Sequence, residues 1–147
     1  MLSDFQRALG ELAASPEAAR ALRADPHELD ERYTLGARER RRLVALAHDG
    51  GLARAQVLHR IRRLAPLARH LDATLGALGA AMRALLAGYW AEHPQGLAHS
   101  PLEAERFARW LDKHLPADAA ARVPLAHEAA KVQETLALSL LTTEAIA

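Results

Sequence analysis

Nowhere in this chain do apolar and polar residues alternate with the period of two that a half-buried strand needs; where apolar residues recur, they do so at three- and four-residue spacing. The run Leu75, Leu78, Met82, Leu85, Leu86 and Tyr89 is the longest case and predicts a helix from Leu75 to Trp90 with one buried face. Composition agrees, because Ala, Leu, Arg and Glu dominate and β-branched residues are few. An all-α helical bundle is expected, and 147 residues suffice for one sizeable core.

Helix starts are marked by caps and prolines. Asp25-Pro26-His27-Glu28 and Ser100-Pro101-Leu102-Glu103 each combine a capping side chain, a proline and a glutamate placed to reach back to the cap, and Ser15-Pro16-Glu17 is a weaker version. The spacing predicts helices over Asp4–Ala13, Pro16–Arg23, Pro26–Arg32 and Ala37–Ala47, the last ended by Asp49-Gly50-Gly51. A further helix is expected from Leu52 to Leu64, stopping ahead of Pro66, with a short segment Leu67–Leu71 after it. Beyond the loop His93–His99 come a helix Pro101–Lys113, a connector bracketed by Pro116 and Pro124, and a last helix Leu125–Leu141. The division suggested is a looser N-terminal helical module, 1–50, and a C-terminal helical domain, 51–147. The opening stretch, MLSDFQRALGELAAS, carries acids and no long apolar run, so neither a secretory signal nor a membrane span is expected there and a cytoplasmic location is.

The formal charge of +1 conceals an uneven distribution. Between Arg38 and Arg69 nine arginines face only Glu39 and Asp49, which leaves the rest of the chain at about minus six. A basic middle of this kind suits an anionic partner: nucleic acid, an acidic peptide or an acidic protein face.

Chemistry is harder to find. Cysteine is absent, which excludes a disulfide framework, thiolate metal sites and a cysteine nucleophile. Eight histidines form no zincin-type pair or sequence-local ligand cluster, although His93, His99, His114 and His127 could approach one another in space. Ser3, Ser15 and Ser100 read as helix caps, Ser139 lies within the last helix, and Gly50-Gly51 lacks the lysine and hydroxyl residue of a phosphate loop. No catalytic residue, cofactor or metal is expected. The pair of helices flanking Gly50-Gly51 has the outline of a helix-turn-helix, with Gln56, His59, Arg60 and Arg63 expected on the exposed face of the second helix.

One stretch stands apart. Tyr89–Leu111, YWAEHPQGLAHSPLEAERFARWL, holds both tryptophans, one of two tyrosines and one of two phenylalanines. Tyr89 and Phe107 are expected to pack where two helices meet, and Trp90 and Trp110, beside polar residues, to form the rim of a contact surface.

Pro66, Leu75-Gly76, Tyr89, His93-Pro94, Phe107 with Trp110-Leu111, Pro124 and Glu128 together give the chain, from about Leu58 to Leu138, a pattern that resembles the partner-protein family of the multinuclear non-haem iron-dependent oxidative enzymes, which modify ribosomally made peptides. Members were long labelled DNA-binding. Where the family has an aromatic-Arg-Asn segment, this chain has Leu58-His59-Arg60. The stretch LRADPHELDERYTLGARERRRL looks instead like the small helical module of the alpha subunit of an aromatic ring-opening dioxygenase, or like a helical peptide leader. The resemblance implies a non-catalytic partner that binds the leader of a ribosomally synthesised precursor peptide and docks against the iron enzyme, with Arg60, Arg63, Trp90, His93 and Trp110 as contact residues. A helix-turn-helix nucleic-acid binder is the alternative, and a small regulatory or dioxygenase-associated helical subunit a third class.

Overall fold

The computed structural model describes the backbone of residues 3–146 and the side chains of residues 3–142. Its elements in chain order are α1 (Asp4–Ala14), α2 (Pro16–Ala24), α3 (Glu28–Arg32), α4 (Ala37–Ala47), α5 (Gly50–His70), α6 (Asp72–Leu78), a 3-10 turn (Gly79–Ala81), α7 (Met82–Glu92), α8 (Ser100–His114) and α9 (Arg122–Ile146). The fold is all-α, with no strand among the described residues. Two compact units are present, one through Ile61 and one from Arg62, so the division between them lies inside α5. Among the described residues no single helix is long and apolar enough to cross a membrane.

In the first unit the serine caps form as expected. Ser3 Oγ accepts from the Gln6 NH while Gln6 returns a bond to the Ser3 NH, and Ser15 Oγ accepts from the Ala18 NH. Ala8 and Leu12 of α1, Ala19 and Leu22 of α2, Leu29 of α3, Leu43 and Ala47 of α4 and Leu52 of α5 close one core. The carbonyls left over where helices end find long-range donors: Arg23 bonds the Ala47 oxygen at 2.8 Å, and the Gln56 amide bonds the Leu12 and Ser15 oxygens at 2.6 and 3.2 Å. Two boundaries differ from expectation. Asp25 closes α2, and α3 begins only at Glu28. Gly50 and Gly51 open α5, because Asp49 Oδ1 accepts from the Gly51 NH at 2.6 Å.

The second unit departs further. Pro66 was expected to end a helix, yet α5 continues through it to His70. An internal proline costs about 3 kcal/mol through its missing NH and ring clash. Leu67 and Leu71, both fully buried in the unit's core, contribute burial of the same order. Conversely, the helix expected from Leu75 to Trp90 is two helices. It breaks at Gly79, whose φ of 54° and ψ of −128° belong to a region essentially reserved for glycine. The short α6 left before the break is capped from a distance: Glu128 on α9 accepts from the Ala73 NH, the Thr74 NH and the Thr74 hydroxyl at 3.0, 2.9 and 2.6 Å. Burial pushes the Glu128 carboxyl up, but these donors outweigh it and hold the group below its usual range.

Helix α9 starts at Arg122, earlier than the expected Leu125, since Pro124 fits a first turn whose NH has no partner in any case. The Arg122 guanidinium gathers the connector beneath it, reaching the Pro116 and Leu115 carbonyls at 2.7 and 2.5 Å and Asp112 at 2.9 Å. Gly79→Ala is expected to cost about 1–3 kcal/mol, because the backbone strain falls on a side chain even though the space around it is open. Urea unfolding followed by circular dichroism would measure it, and an unchanged midpoint would contradict this account of the break.

Candidate partner-binding surface

The aromatic stretch folds onto itself in the second unit. Tyr89 and Phe107 are fully buried, with ring centroids 4.9 Å apart in an edge-on pair, and Trp110 lies 5.7 Å from Tyr89 and 6.2 Å from Phe107. Trp110 is therefore part of the core and not its rim. Its indole NH donates to Glu92 at 2.8 Å, and His114 stacks on its ring at 3.8 Å. Trp90 is partly buried and packs against the same core.

Beside the rings lies a buried polar clasp. Glu103, on the first turn of α8 and 1% exposed, uses all its acceptor capacity. One oxygen accepts from Arg63 at 2.9 Å and from the Tyr89 hydroxyl at 3.2 Å; the other accepts from Arg106 at 2.7 Å and from the Leu97 NH at 2.8 Å. Arg63 also donates to the His93 carbonyl at 2.5 Å, and Arg106 to the Gln95 carbonyl at 2.8 Å, so the loop between α7 and α8 is tied at three backbone points. Gly96 lets that loop lie on the Arg63 side chain, where a Cβ would come within 3.3 Å of Nε. Burial pushes the Glu103 carboxyl up, but the Leu97 NH and the two guanidiniums override it and hold the group below its usual range. For Tyr89, burial prevails and the hydroxyl is raised.

Two placements expected for α5 are corrected. Gln56 and Arg63 were expected to be exposed, but the stripe Leu52, Gln56, Arg63 and Leu67 is the buried one, since each polar member has partners inside. Arg60 is half-buried and bridges to Glu17 at 3.1 Å in the first unit. Val57, Leu58 and Ile61 face out instead, 58%, 56% and 56% exposed, alongside the exposed Arg54, Arg62 and Arg69, and Ala53, Arg54, Val57 and Leu58 line a shallow groove of about 420 Å³. His93 closes α7, its ring 5.0 Å from Tyr89; burial, then Arg106, lowers its pKa. Of the expected contact residues, the structure brings Arg63 and His93 together in the clasp.

Among the described residues no group of three or more His, Asp or Glu could hold a metal ion. Ser100, expected as a cap, instead meets His70 Nε2 at 3.1 Å. Burial, with Arg69 and His99, lowers the His70 pKa. That pair lacks a carboxylate orienting the imidazole among the described residues, and the Leu102 and Glu103 NH groups beside it are taken by the His99 carbonyl.

Glu103 was missed as more than a cap, although one signal was present: it falls in line with Phe107, Trp110 and His114 on the apolar face of α8, where a carboxylate needs partners. Glu103→Gln is expected to cost about 3–5 kcal/mol near neutral pH, because two guanidiniums lose their counter-charge. Since the folded pKa is depressed, this stabilisation is complete above the ordinary glutamate value of about 4.3 and is lost as pH falls through the lower folded value. Urea unfolding read by tryptophan fluorescence should thus show the wild-type advantage shrinking below about pH 4.3. The chain matches no family model, no curated protein and no solved structure.

Proposed function

We propose that the protein is a non-catalytic partner that holds a ribosomally synthesised precursor peptide by its leader and docks with a multinuclear non-haem iron-dependent oxidative enzyme, presenting the peptide for modification. The observation that carries the reading is the outward face of α5, where a rigid helix leaves three large apolar side chains in solvent beside an arginine. Apolar surface grouped on one helix face suits contact with another polypeptide. The resemblance over residues 58–138 supplies the identity of the partners. A partner of this kind accelerates chemistry by raising the local concentration of the peptide at another protein's metals, and needs no reactive group of its own.

Nucleic-acid binding remains the second reading because α4, the Asp49 turn and the start of α5 keep the helix-turn-helix outline. The face that would enter a groove carries Val57, Leu58 and Ile61, which have no complement among phosphates.

The deciding experiment is affinity capture of the tagged protein from its native lysate at moderate salt, with nuclease added. Co-retention of an iron-containing enzyme together with a short peptide is the expected result. Recovery of nothing under nuclease, and of duplex DNA without it, would sink the maturation role.

A further inference from the structure

We infer that the outward strip of α5 formed by Ala53, Arg54, Val57, Leu58 and Ile61 docks an acidic amphipathic helix, which under the function proposed above, on which this identification of the occupant rests, is the leader segment of the precursor. Three features select that occupant. The apolar residues fall at helical spacing along one face of a helix that Gln56 and Leu52 anchor from behind, so the strip is pre-formed and needs no rearrangement to receive a second helix. Arg54 lines the groove and makes no ion pair among the described residues, whereas Arg60 is engaged by Glu17. And α5 contains no Asp or Glu from Gly50 to His70, so every charge the strip offers is positive and unanswered along its own helix. Carboxylates flanking a leucine-type stripe would complement it.

The same features disfavour the other occupants. A second copy pairing α5 with α5 would bring arginines and no carboxylate. A phosphate backbone would satisfy Arg54 but leave Val57, Leu58 and Ile61 without apolar partners. The larger groove between α8 and α9, about 520 Å³, lacks this selectivity, because Arg109 and Arg122 on its rim are already paired with Glu105 and Asp112. Leu138, Leu140 and Leu141 on α9 are exposed too, but the exposed Glu134 one turn before Leu138 gives that face the sign that repels an acidic helix.

The probe is a fluorescent synthetic helix of Leu, Ala and Glu with its leucines along one face, beside a twin in which Lys replaces Glu. Anisotropy titration of the full chain should give salt-sensitive binding of the Glu helix and at least about tenfold weaker binding of the Lys twin. The Leu58→Ser/Ile61→Ser double variant should lose about tenfold or more in affinity with an unchanged melting curve, as both side chains are exposed. Arg54→Glu should reverse the preference between the twins. Equal binding of the twins, or indifference to these substitutions, overturns the inference. So does self-association in ultracentrifugation that the double variant abolishes, or duplex binding that Arg54→Glu abolishes.

Repeating the lysate capture with the double variant separates this inference from the function above. If wild type retains enzyme and peptide and the variant retains both equally, the strip is wrong and the maturation role stands. If wild type retains neither, the maturation role fails while the twin-helix titration still decides the strip.

Discussion

The second unit is organised by one carboxylate. Glu103 sits where burial would ordinarily neutralise an acid, and it stays charged because an amide NH, a phenol and two guanidiniums converge on it. Each of those donors belongs to a different piece of the unit: Arg63 to α5, Tyr89 to α7, Leu97 to the loop, Arg106 to α8 itself. The carboxylate therefore ties α5, α7 and α8 together beside the Trp110–Glu92 and His70–Ser100 contacts, and it positions Tyr89 against Phe107 and Trp110. The guanidinium carbons of Arg63 and Arg106 lie 5.5 and 5.8 Å from the Tyr89 ring centroid, so the aromatic cluster and the clasp form one unit. Apolar packing supplies most of the burial, and the ionic cluster selects one arrangement.

Legibility in the sequence followed the range of the interactions. Helical class, the serine caps at Ser3 and Ser15, the end of α4 and the burial of Tyr89 and Phe107 depend on neighbours a few residues away or on periodicity, and they could be read directly. The failures involve distant partners. Pro66 carries the signal of a helix end, and only the core around Leu67 and Leu71 shows why α5 passes through it. Gly79 was one of three glycines in a helical pattern, and only its positive φ marks it as the break. Gln56 and Arg63 look like surface residues until Leu12, Ser15 and Glu103 are in place to receive them. The sequence places Gln56, His59, Arg60 and Arg63 on the exposed face because polar residues ordinarily face water; Gln56 and Arg63 are buried instead, and Val57, Leu58 and Ile61 share the exposed face with Arg54 and Arg62.

Residues that carried the resemblance serve the architecture. Tyr89, Phe107 and Leu111 are core, and Glu128 caps α6. A pattern made of such positions describes how a domain packs more than what it touches, so residues able to distinguish partners lie outside it. The α5 strip is one such place, since Val57, Leu58 and Ile61 make no contribution to either core.

The capping of α6 by Glu128 also sets an order of events during synthesis. The first unit has every residue of its core by Leu52, and Gln56 completes the bonds that close it, so it can fold while the rest of the chain is still being made. The second unit cannot follow at the same pace. Ala73 and Thr74 wait for a side chain on the last helix, and a segment as short as α6 does not persist alone in water. For the time it takes to translate the intervening chain, Leu75 and Leu78 have no settled place, and a chaperone or a partner that engages the nascent protein meets one finished unit and one still open.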